Sequence, residues 1–78
     1  MIVKRGGVSM PLTMAGIGES NIIKKITGKD EIRQHLSELG FVVGESVTIV
    51  SMIGGNMIIS VKNSRIAIDR AMATRIMI

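Results

Sequence analysis

Between Ile32 and Gly44 the chain reads IRQHLSELGFVVG. Ile32, Leu36 and Leu39 fall at i, i+4 and i+7, one face of a short helix. Gly40 stands just past the last apolar position, where a helix commonly ends in a left-handed residue that glycine adopts freely. Phe41, Val42 and Val43 follow as apolar cover, and Gly44-Glu45 opens the next turn. Lys29-Asp30-Glu31 begins the helix, with both acids in the first turn where they complement the helix dipole. Gly28 and Asp30 both suit the cap position, and the pattern does not choose between them.

Elsewhere the apolar pattern has the period of strands. Met10 to Met14 reads as a short first strand, with Pro11 at its start because proline has no N–H to give a ladder. Ala15 to Gly18 is a turn. Ser20 to Thr27 is a strand whose alternation breaks at the adjacent Ile22 and Ile23, so one of the pair faces outward or lies at a bulge. Ser46 to Ile53 alternates, with Val47, Ile49, Ser51 and Ile53 on one side and Thr48, Val50 and Met52 on the other. Gly54-Gly55-Asn56 signals a hairpin. Met57 to Lys62 returns with Met57, Ile59 and Val61 on one face, and Asn63-Ser64 is a second tight turn. Arg65 to Asp69 is a strand with Ile66 and Ile68 together. Arg70 to Thr74 is one helical turn, and Ile76 and Ile78 fit a last short strand.

The fold class expected is mainly β. A small antiparallel sheet needs closure to remove its edges. A partly open barrel of about five strands follows, with one short helix after the second strand and a single helical turn near the end. Residues 1–9, MIVKRGGVS, have no clear period and are expected to be a loosely ordered extension, with residues 10–78 as the domain.

Composition narrows this further. The 78 residues contain no cysteine, so disulfides and thiolate metal sites are excluded. The apolar fraction is 46% but Phe41 is the one aromatic residue, leaving Ile, Val and Met to fill the core. No apolar run reaches the ~18 residues that suggest a membrane helix. Ser9, Pro11, Thr13 and the glycines interrupt anything resembling a signal peptide. The formal charge is +4, and a natural start at Met10 would remove Lys4 and Arg5. The excess is spread along the chain, as on an ordinary solvated surface.

No catalytic grouping emerges. His35 is the single histidine. Its i, i+4 neighbour Glu31 makes a pair too small to hold a structural metal or activate a water. Gly16-x-Gly18 lacks the third glycine and the following helix of a dinucleotide loop. The methionines Met10, Met14, Met52, Met57, Met72 and Met77 read as flexible core filler. Two basic sets, Lys62, Arg65, Arg70 and Arg75, and Lys24, Lys25 and Lys29, keep a nucleic-acid reading as the alternative. It lacks the aromatic platforms on which single strands stack.

From Met10 onward the chain resembles the FeoA family of ferrous iron transport proteins A. In the clearest segment, IRQHLSELGFVVGESVTIV, the family pattern falls on Arg33, Leu36, Leu39, Gly40, Gly44, Val47, Ile49 and Val50. In SRIAIDRAMATRIMI it falls on Arg65, Ile66, Ala67, Ile68, Ala73, Ile76 and Ile78, and the opening MPLTMAG also fits. The chain departs from the family where Val43 replaces a common proline and where Asp69 replaces a common basic residue. The loop Met52 to Met57 also has no proline.

The resemblance implies an SH3-like barrel without enzymatic activity. Its role would be accessory, on the cytoplasmic side, docked on the GTP-binding region of the membrane iron transporter FeoB, with no cofactor or resident metal. A regulatory module of the kind found in metal-dependent repressors is a further alternative. Open strand edges would also permit a homo-oligomer. Docking calls for an apolar patch with a polar rim. The candidates are the projecting hairpin tip, Ile53, Gly54, Gly55, Asn56 and Met57, and the helix with its exit, Arg33, Phe41 and Val43.

Overall fold

The computed structural model describes residues 9–78. In chain order it contains a 3-10 turn at Leu12–Met14, β1 (Ser20–Ile22), β2 (Lys25–Ile26) and α1 (Asp30–Glu38). Then come β3 (Ser46–Ile53), β4 (Asn56–Val61), β5 (Ser64–Asp69), α2 (Arg70–Ala73) and β6 (Ile76–Met77). One antiparallel sheet has the order β1-β3-β4-β5, and a second pairs β2 with β6. The expected extension at 1–9 lies, but for Ser9, outside the described residues.

The stretch expected as one strand from Ser20 to Thr27 serves both sheets. Ser20 to Ile22 pair with β3, whereas Lys25 and Ile26 pair with β6. The change falls at the adjacent isoleucines. Ile23 bonds to the loop before β3, accepting from Gly44 N–H at 2.8 Å and donating to Glu45 C=O at 2.9 Å. Lys24 N–H then donates to Met77 C=O at 2.8 Å. Ile22 stays exposed and Ile23 is buried. A strand shared between sheets in this way makes the corner of a small barrel.

The strand expected over Met10–Met14 does not form; only Pro11 makes an isolated bridge. Met10 and Ile78 exchange both backbone bonds, at 3.0 and 2.8 Å, and Pro11 bridges to Met77. Beyond Pro11 the chain tightens into i→i+3 bonds, Met14 N–H to Pro11 C=O and Ala15 N–H to Leu12 C=O. This turn puts Leu12 into the core.

α1 starts at neither cap foreseen. Lys29 takes the extended N-cap conformation, with no side-chain cap bond. Its exit is a Schellman motif: Gly40 has φ 107°, Gly40 N–H donates to Ser37 C=O and Phe41 N–H reaches back to Leu36 C=O at 2.9 Å. Leu36 and Phe41, the apolar pair that accompanies such a motif, are both fully buried.

In β3 the register shifts between Ile49 and Ser51, so Val50 is a bulge residue. Val47 and Ile49 face the core as expected, but Ser51 and Ile53 do not share their face. Met52 pairs with buried Met57, and Ile53 stands out beside Asn56. The second tight turn is Lys62-Asn63, one residue earlier than expected, since Ser64 already belongs to β5. Both turn residues have positive φ, 49° and 65°, as a type I′ hairpin requires. Neither is glycine, so the turn carries avoidable strain. The double substitution K62N/N63G should raise stability by about 0.5–1 kcal/mol, measured as a shifted urea midpoint. The exposed Lys62–Glu45 pair it removes is 3.9 Å long and contributes little.

The core is Leu12, Ile23, Leu36, Phe41, Val47, Ile49, Met57, Ile59, Val61, Ile68, Ala73, Ile76 and Ile78. No polar or charged residue is buried among the described residues.

Candidate functional site

The residues singled out for contact divide between the two ends of β3. Its eight residues span about 23 Å at the usual strand rise. At one end is the β3–β4 hairpin tip. Gly54 takes φ 59°, and Gly55 C=O accepts from Arg70 N–H at 3.1 Å, which anchors the tip to the start of α2. Ile53 is 64% exposed and Met52 37%, and Gly54, Gly55 and Asn56 are exposed as well. Met57 is not part of this surface. Its side chain is fully buried because, in the regular alternation of β4, it faces the same side as Ile59 and Val61. Two further exposed residues lie towards this end. Ile17 adjoins Gly18, whose N–H donates to Ile49 C=O at 2.7 Å, and Met14 ends the 3-10 turn that packs on α2.

At the other end, Arg33, Phe41 and Val43 come together in an open groove of about 390 Å³. One wall is the crossing from β1 to β2, with Lys24, Lys25 and Ile26. The opposite wall is α1, whose Arg33 and Ser37 are one turn apart. Phe41, Val42 and Val43 close the groove along the helix exit. Each part follows from local sequence. The Schellman turn swings the chain back under α1 and drives the Phe41 ring inward, so Phe41 supports the floor and offers no exposed surface. Glu45 N–H bonds Val42 C=O at 3.0 Å, closing a turn that lifts Val43 outward to 64% exposure. The rim is basic: Lys24 and Lys25 are exposed on the strand side, and Arg33 on the helix side pairs with Asp30.

A second open groove, about 440 Å³, lies along the β1 edge between Ser20, Asn21, Ile22, Lys24, Ser46 and Ile78. Asn21 Nδ2 is covered there without a hydrogen-bond partner. The residue as a whole remains partly exposed.

The remaining candidates do not assemble. His35 is exposed on α1, and no group of three or more His, Asp and Glu able to hold a metal occurs among the described residues. Lys62 and Arg70 flank opposite ends of β5, and Arg75 lies against Gly28 before α1. The basic set near the last strands is therefore dispersed. Lys24 and Lys25, by contrast, belong to the groove. Sequence reasoning did not connect them with Arg33, because only the folded corner at Ile23 brings β2 beside α1. Among the described residues no helix is long and apolar enough to cross a membrane.

Comparison with known proteins agrees with this architecture. The family model of the FeoA domain matches residues 10–78. A protein of Methanocaldococcus jannaschii named putative Fe(2+) transport protein A is 38% identical over 68 residues, covering 87% of this chain and 83% of that one. The crystal structure of an iron uptake regulatory protein, FeoA, superposes with a TM-score of 0.82 at 33% identity, covering 90% and 93% of the two chains. FeoA of Stenotrophomonas maltophilia, solved with zinc, superposes with a TM-score of 0.75 at 29% identity over 86% of each chain. That protein is described as a prokaryotic SH3 domain protein and is suggested to activate bacterial ferrous iron transport.

Proposed function

The chain belongs to the FeoA family, and from that premise we propose that it is a non-enzymatic accessory protein of ferrous iron uptake that docks on the cytosolic GTP-binding region of the FeoB transporter. Through that partner it works at the inner face of the cell membrane. The observation that carries the docking surface is the groove beside α1. It combines an exposed apolar residue, Val43, a floor supported by Phe41, an apolar wall residue, Ile26, and a rim of Lys24, Lys25 and Arg33. An apolar centre inside a polar rim is the anatomy of a protein contact. The basic rim selects an acidic surface on the partner and speeds encounter with it. The hairpin tip with Ile53 is the second contact candidate, at the far end of β3.

The test is a titration of the full chain against the cytosolic region of FeoB from the same organism, with and without guanine nucleotide. Val43→Ser should raise Kd about 10-fold or more, as expected for an exposed residue at the centre of a contact. Ile53→Ser should change it less. Loss of binding with Ile53→Ser alone would move the contact to the hairpin tip. Absence of binding to FeoB in every nucleotide state would reject the docking function. Strongly salt-dependent binding to RNA, with none to FeoB, would put the nucleic-acid alternative in its place.

A further inference from the structure

Among the described residues, β5 pairs with β4 and with no other strand, and so forms an edge of the four-stranded sheet. The phase of its hydrogen bonds follows from the turn before it. The two-residue turn Lys62-Asn63, with both φ positive, closes on Val61 and Ser64 as a bonded pair. Ser64, Ile66 and Ile68 are therefore bonded to β4. Arg70 N–H continues the series by donating to Gly55 C=O. Arg65, Ala67 and Asp69 turn their N–H groups away from β4, and Arg65 and Ala67 turn their carbonyls away too. Asp69 is the N-cap of α2: its carboxylate Oδ1 accepts from Met72 N–H at 2.8 Å, and Oδ2 remains to face a second charge. Arg65, Ala67 and Asp69 also share the exposed face, while Ile66 and Ile68 face the core.

We propose that β5 is a self-recognition edge, on which two copies of this chain pair antiparallel with Ala67 at the two-fold axis. Edge strands are commonly protected by charges that repel a second copy. Here the charges are arranged the other way. Pairing about Ala67 sets Arg65 opposite the partner's Asp69 and Asp69 opposite the partner's Arg65, two opposite-charge pairs related by the axis. It sets Ile66 opposite the partner's Ile68, so the two cores meet along the edge, and Arg70 opposite the partner's uncharged Ser64. The small Ala67 side chains meet at the axis without a clash. The bonding phase agrees independently with this register. The outward residues meet outward residues, the two Ala67 exchange a pair of bonds, and each Asp69 N–H donates to the partner's Arg65 C=O. A shift of one residue would set inward-bonded residues opposite the axis and destroy both charge pairs. The surface is separate from the groove beside α1, so this dimer and the docking reading stand or fall apart.

The test uses sedimentation of the full chain at increasing concentration, up to about 1 mM, the range of weak self-association. Backbone amide exchange is followed alongside. The expected result is a concentration-dependent shift from monomer to dimer. Ala67 and Asp69 amides should become protected with concentration, while Ser64, Ile66 and Ile68 amides, already bonded to β4, should not change. Arg65→Glu places like charges opposite each other in both pairs and should weaken association about 10-fold or more. Asp69→Asn keeps a good capping side chain for α2 and should weaken it less. All altered residues are exposed, and thermal unfolding of each variant verifies the fold. A chain that stays monomeric across the range overturns the proposal. So does a dimer that is indifferent to Arg65→Glu and leaves the Ala67 and Asp69 amides unchanged.

Discussion

Phe41→Ala should cost the protein about 3–5 kcal/mol of stability, the usual penalty for removing a large ring from a core that cannot collapse around the space. A small domain holds roughly 0.05–0.15 kcal/mol per residue, so this loss removes a large share of its reserve. The penalty is high here for two reasons. Phe41 is the single aromatic residue and is fully buried, with no second ring beside it to close over the gap. It is also the C″ residue of the Schellman motif, bonded through its N–H to Leu36 C=O. Removing the ring therefore loosens both the core and the stop signal of α1. Urea unfolding is the measurement, and a loss below about 1.5 kcal/mol would mean the ring is not central to the packing.

The second large effect separates two neighbouring residues. Met57→Ser should destabilise by about 3 kcal/mol or more, because it removes a buried apolar side chain and leaves a hydroxyl without a partner. Ile53→Ser, four residues earlier and 64% exposed, should stay within about 0.5 kcal/mol of the parent. The contrast reports on the bulge at Val50. Had β3 kept the alternation of its first residues through to the tip, Ile53 would share the inward face of Ile49, and the two substitutions would cost similar amounts. Equal losses in urea unfolding would contradict the register shift.

The helix and its end were readable because several signals coincide there. The apolar spacing of Ile32, Leu36 and Leu39, the acids in the first turn and Gly40 all agree, and the Schellman bonds realise that agreement. The barrel itself followed from strand count and turn spacing. The features that escaped are those with no local signature. A bulge adds one residue to one strand, and nothing in SVTIVSMI marks which one. Lys29 as a cap has no side-chain advantage over its neighbours. Lys62 at positive φ runs against propensity, which is why the sequence pattern points to Asn63-Ser64 instead. Of the candidate contact residues, Val43 and Ile53 are exposed, whereas burial takes Phe41 and Met57 off the surface. The groove also draws Lys24 and Lys25 from a stretch whose role in two sheets only the three-dimensional closure shows.

That closure also gives the fold an order in time. The β3–β4–β5 meander joins neighbours through two-residue turns, so each pairing constrains little chain. The β2–β6 layer is of another kind. It is extended by the backbone bonds between Met10 and Ile78, residues from opposite ends of the domain. Contacts so distant in sequence are slow to find and add little until the rest is in place. Contact order therefore predicts that the meander forms first and that the meeting of the two ends acts as a latch, the last part to set and the first to open.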